Sequence, residues 1–134
     1  MWYDYIDSEN EIFLKRLYNP VPALKNIHLL KFWVSGNEDS MRLIFEMPYY
    51  ADNPPEKWIN KKYNTTIIEL DVYCIKSLSI NASDRRHYGE LDIQKNENDL
   101  LNLCMKGEIN INVIAEGIFI QRIDGLITIK SEET

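Results

Sequence analysis

The sequence predicts an α+β fold: a mainly antiparallel β-sheet or sandwich of six to nine strands with one short N-terminal helix, in a single domain over residues 1–134. Three observations predict it. Apolar and polar residues alternate with a period of two through much of the chain after residue 27, the pattern of half-buried strands. The clearest helix signal, a capping signature followed by a helical apolar stripe, lies before residue 20. There is no strand–helix–strand alternation of the kind that builds a parallel sheet.

The helix comes first. Ser8-Glu9-Asn10-Glu11 reads as a capping box, in which the serine oxygen caps a free N–H and Glu11 reaches back. Ile12, Phe13 and Leu17, with Ile6, mark its apolar face. Asn19-Pro20 and Pro22 end it at about residue 18, because proline disfavours helical geometry in the residue before it. Ile27–Val34 and Met41–Met47 flank Gly36-Asn37-Glu38-Asp39 and pair as a hairpin. In the second strand Met41, Leu43, Phe45 and Met47 alternate with Arg42, Ile44 and Glu46. Pro48 to Tyr63 is a loop, since Pro54-Pro55 has no place inside a sheet or helix. Its aromatic content (Tyr49, Tyr50, Trp58, Tyr63) marks it as functional or as folded back onto the core. Ile68, Leu70, Val72 and Cys74 alternate with Glu69, Asp71 and Tyr73, and Leu78 and Ile80 extend that strand past a bend. Leu91–Ile93, Leu101–Met105, Ile109–Ala115 and Ile118–Ile123 follow. Leu126–Lys130 is joined to the last of these by a tight turn at Asp124-Gly125.

A composition of 45% hydrophobic and 27% charged residues argues against disorder. No apolar run approaches the roughly 20 residues of a membrane span. The first residues lack the basic-then-apolar pattern of a signal peptide. The expectation is a cytosolic protein. In that setting Asn64-Thr65-Thr66 and Asn81-Ala82-Ser83 are chance matches to the glycosylation pattern, and Cys74 and Cys104 are buried thiols. The net charge of −6, with its acid excess at the two ends, disfavours nucleic acid and anionic membranes and favours a basic protein partner. The abundance of isoleucine and asparagine fits an AT-rich bacterial genome.

Catalysis needs a nucleophile with a base, a carboxylate pair in a cleft, or a metal or cofactor. The only histidines are His28 and His87, and no zinc spacing, phosphate loop, nucleophile elbow or calcium loop is present. Glu69/Asp71 and Glu90/Asp92 are paired carboxylates opposite apolar strand faces, where solvated residues belong. No catalytic residue, metal or cofactor is assigned. Tyrosine and tryptophan are enriched at protein interfaces. Trp33 and Trp58 are expected in the core, whereas Tyr49 and Tyr50 are candidates for exposure. The candidate partner-binding residues are therefore Tyr49, Tyr50, Asp52 and Glu56 of the loop, with Glu69, Asp71, Glu90 and Asp92 of the strands.

The order of motifs is a further observation. Trp2 and a short helix precede Pro22-Ala23-Leu24 and the Ile27–Val34 strand; Pro54-Pro55-Glu56-Lys57-Trp58 then leads to Asn64, which opens a strand through Cys74, and Gly117-Ile118-Phe119-Ile120 closes the series. This order resembles the immunity protein 50 family of bacterial polymorphic toxin systems over nearly the whole chain. The resemblance implies a small cytosolic antidote that binds and neutralises a cognate toxin encoded beside it, with no catalytic residues and with the toxin's activity left open. A basic toxin, such as a nuclease, is the physical match for an acidic antidote, which can meet the surface that grips phosphate. A homodimer is compatible with this reading. Two alternatives stand beside it: an acidic secretion chaperone, and a small enzyme with a site around Asp84, His87 and Tyr88.

Overall fold

The computed structural model describes residues 1–83 and 86–129. A 3-10 turn (Trp2–Tyr5) leads into helix α1 (Ser8–Leu17), strands β1 (Ile27–Ser35) and β2 (Ser40–Glu46), and a short helix α2 (Glu56–Asn60). Strands β3 (Thr65–Ala82), β4 (Tyr88–Lys95), β5 (Leu101–Gly107) and β6 (Ile109–Leu126) follow. The six strands of the described residues are antiparallel, as the alternation predicts, and they close into one barrel in the order β1-β2-β3-β6-β5-β4. The barrel fills with one alternate set of side chains from each strand. Met41, Leu43 and Phe45 of β2, Ile68, Leu70 and Val72 of β3, and Ile109, Ile111 and Val113 of β6 are all buried there.

Several local expectations are corrected. The helix cap is Asp7, not Ser8: its Oδ2 accepts from the Asn10 backbone N–H at 3.4 Å and from Asn10 Nδ2 at 2.6 Å. Asp7 Oδ1 also accepts the Ile120 N–H at 3.0 Å, while Asn10 Nδ2 donates to the Ile120 carbonyl at 3.0 Å. Strand β5 pairs with β6 only as far as Ala115, so this edge of β6 beyond it would otherwise be open. The two side chains at the start of α1 take the place of a strand there, one way in which sheet edges are protected. Docked this way, the helix buries Leu14 and Leu17 and leaves Ile12 54% exposed.

The expected turn at Asp124-Gly125 does not form. Strand β6 runs through it to Leu126, with Gly125 opposite Thr66. A Cβ at Gly125 would fall 2.4 Å from Tyr63 Cδ2, so this glycine marks a ring packed on the strand. Strand β3 bends at Cys74, whose φ of 54° lies in the left-handed region. The bend leaves Cys74 exposed and Cys104 is only partly covered, against the expectation of two buried thiols. In β1 a bulge between Leu29 and Lys31 shifts the phase, so Phe32 faces Leu43 and Trp33 faces Arg42. Trp33 therefore lies outside the core in which it was expected.

The loop after β2 closes against the barrel and α1. Trp58 is 5% exposed, and its ring centroid lies 6.3 Å from each of Phe13, Tyr50 and Tyr63. The Ala51 N–H donates to Thr66 Oγ1 at 3.1 Å and the Asn53 N–H to the Leu17 carbonyl at 2.9 Å. Tyr18 is buried and donates its hydroxyl to the Tyr49 carbonyl at 2.7 Å; burial raises its pKa well above the ordinary phenol value.

Candidate functional site

Cross-strand partners share a face of a sheet. On the outside of the barrel, register sets Trp33 of β1 opposite Arg42 of β2, Arg42 opposite Asp71 of β3, and Asp71 opposite Phe119 of β6. Arg42 donates to Asp71 through two bonds, Nε to Oδ1 at 2.5 Å and Nη2 to Oδ2 at 2.9 Å. Its guanidinium carbon lies 5.3 Å from the Trp33 ring centroid, within range of a cation–π contact. The Asp71 hydrogen bonds raise the Arg42 pKa further above its ordinary value, burial opposes this, and the charges of Asp71, Glu69 and Glu38 add to the rise. Glu69 accepts from Arg122 Nε and lies 3.9 Å from Arg42 Nη1, and Arg122 Nη1 reaches Asp124 at 3.0 Å. The result is a chain of alternating charge across three strands: Asp71, Arg42, Glu69, Arg122, Asp124. Glu69 and Asp71 are thus half-buried and paired, where solvated carboxylates were expected.

Two positions along β3, Tyr73 lies across Gly117. A Cβ at Gly117 would fall 2.1 Å from the Tyr73 hydroxyl oxygen, so glycine is what lets the ring approach β6. There Tyr73 packs beside Phe119, with ring centroids 6.0 Å apart. Trp33, Tyr73 and Phe119 stay 46%, 41% and 37% exposed. They line a cleft of about 490 Å³ together with Glu38, Arg42 and Asp71. The β1–β2 turn forms part of its wall, and the Ile75 N–H anchors that turn by donating to the Asp39 carbonyl at 2.9 Å. Glu38 makes no ion pair among the described residues.

The eight candidate residues lie in three separate places. Glu69 and Asp71 belong to the face just described. Glu90 and Asp92 sit on β4 beside Cys104 and Lys106, where Asp92 accepts from Gln94 at 3.1 Å. Tyr49, Tyr50 and Asp52 are in the loop, whereas Glu56, expected there too, opens the short helix α2. Asp52 accepts the Asn19 N–H at 3.1 Å, Tyr49 is exposed, and the Tyr50 hydroxyl oxygen is buried without a partner among the described residues. Burial raises the Tyr50 pKa. Trp33, Arg42, Tyr73 and Phe119 are not among the candidates that the sequence singles out. Their meeting depends on the β1 bulge and the register between strands, which composition does not display. Gly117 is the one visible signal, and it reads equally well as a strand start.

Around His87, the His28 ring stacks on Tyr88 at 4.3 Å, His28 Nδ1 lies 3.8 Å from Glu46 Oε2, and His87 packs near Phe32. Asp84, the third member of that alternative site, lies outside the described residues. Among the described residues no group of three or more His, Cys, Asp or Glu side chains could hold a metal ion, and no helix is long and apolar enough to cross a membrane. The outer face holds exposed aromatic rings beside paired charges. A family model described as Immunity protein 50 matches residues 10–126. Nothing among the curated proteins or the solved structures matches the chain.

Proposed function

The chain belongs to the immunity protein 50 family, and from that membership we propose that it is an antidote: it binds a toxin protein encoded beside it and neutralises it by contact, with no turnover of its own. The observation that carries this reading is the match over residues 10–126, which takes in all six strands and most of α1. In this reading the protein acts in the cytosol of the toxin-producing cell, where it meets the toxin before release. The net charge of −6 supports a basic partner, and a nuclease is the toxin class whose phosphate-gripping surface an acidic antidote covers best.

The test is co-expression with the protein encoded beside this chain. Growth of cells making that protein should be restored by this chain, and the two should elute together as one complex of defined stoichiometry. Continued growth arrest, with the two proteins eluting apart, would rule the antidote reading out.

A further inference from the structure

We infer that the cleft between Trp33, Tyr73 and Phe119 receives a cationic segment of the toxin, with an arginine or lysine side chain seated against the rings and Glu38 as its carboxylate. This deepens the antidote reading and rests on it. Three large aromatic side chains exposed around one cleft are the anchors on which interfaces concentrate their binding energy. They are also held in place before any partner arrives. Trp33 is stacked on Arg42, and Tyr73 is laid across Gly117 and beside Phe119, so little side-chain freedom remains to be lost on binding.

Charge selects the occupant. Arg42 and Arg122 are already engaged by Asp71, Glu69 and Asp124, a group whose formal charges sum to one negative. Glu38 and Asp39, at the turn forming the cleft wall, add two more carboxylates with no ion pair among the described residues. A cation entering here gains Glu38 and the electron-rich ring faces together. Trp33 already shows that affinity by accepting the Arg42 guanidinium. A second copy of this chain would bring the same negative field to the same face, and like charges brought together disfavour it.

The experiment uses the full chain and the purified toxin domain encoded beside it, with Kd and dissociation rate measured at two salt concentrations. Thermal melts and sedimentation of every variant accompany them. Trp33→Ala and Tyr73→Ala should each raise Kd about 10- to 100-fold, mainly through faster dissociation. Glu38→Lys, at an exposed turn that tolerates it, should raise Kd about tenfold and flatten the salt dependence. Two variants elsewhere, Glu97→Lys and Ile12→Ala, should stay within about twofold of the wild type. The inference is overturned if the wild type binds and the Trp33 and Glu38 variants bind equally well. It is also overturned if the loss falls on Tyr49 or Glu90 instead, or if a dimer of this chain dissociates on Trp33→Ala. Loss with Trp33→Ala but not with Glu38→Lys would remove the cationic occupant. A wild type that forms no complex with the neighbouring toxin refutes the antidote reading itself, which the variants then play no part in deciding.

Discussion

Asp7 serves two elements at once. One carboxylate oxygen caps α1 through Asn10 and the other satisfies the Ile120 N–H on the edge of β6. Removing it leaves a helix end uncapped and a partly buried N–H unpaired, costs of about 1 kcal/mol and about 1–3 kcal/mol respectively. Asp7→Ala should therefore lower the unfolding free energy by about 2–4 kcal/mol in urea titrations, while Ser8→Ala should change it by less than about 0.5 kcal/mol. The same contacts predict a pH dependence. Burial alone would raise the Asp7 pKa, but the Ile120 and Asn10 hydrogen bonds outweigh it and the folded value lies below 3.8. A lowered folded pKa means the stabilisation is whole above the unfolded value and fades as pH falls through the folded one. Wild-type stability should thus fall more steeply than that of Asp7→Asn below about pH 4. Equal slopes would show that Asp7 contributes no charge-dependent stability. The helix itself is legible in the sequence, but its cap is not. Ser8 satisfies the local pattern, and the deciding partner is 113 residues away.

At the scale of elements, strand β2 is the most legible because its alternation is unbroken, and every alternate residue from Met41 to Met47 is buried. Strand β1 differs by a single bulge, which inverts the fate of Trp33, and nothing in the pattern of β1 alone announces it. The loop shows the reverse case. Pro54-Pro55 correctly marks irregular chain, but the five-residue helix α2 is too short for periodicity to reveal. Trp33 and Trp58, alike in the sequence, should separate on mutation. Trp58 is buried against three aromatic rings, so Trp58→Ala should cost about 3–5 kcal/mol and lower the melting temperature by many degrees. Trp33→Ala removes an exposed ring and one cation–π contact, and should cost under about 1 kcal/mol. Should calorimetry find the two variants equally destabilised, Trp33 carries structure and its exposure is no sign of a docking role.

The whole molecule depends on a closure that no local pattern contains. Among the described residues the barrel shuts where β1 meets β4 through two register pairs, Ile27 with Gly89 and His28 with Tyr88. Two further backbone bonds reinforce the seam, Leu29 N–H to the His87 carbonyl at 2.9 Å and Leu91 N–H to the Leu24 carbonyl at 2.8 Å. His28 stacked on Tyr88 adds ring contact at the same place. By contrast β3 and β6 pair along nearly their full 18 residues each. Alternation foretells an antiparallel sheet, but it is equally compatible with an open sandwich. The difference lies in a few contacts between segments far apart in the chain, which is why the sequence does not separate barrel from sandwich. Protection against hydrogen exchange should follow this inequality, because local opening breaks the fewest bonds at the seam. Amides in the β3–β6 ladder, such as those of Asp71 and Phe119, should exchange only on global unfolding. The Leu29 amide should exchange through a smaller opening, and Tyr88→Ala should speed it by about tenfold while leaving the ladder nearly unchanged. Uniform protection across the seam and the ladder would instead mean that the barrel opens only as a whole.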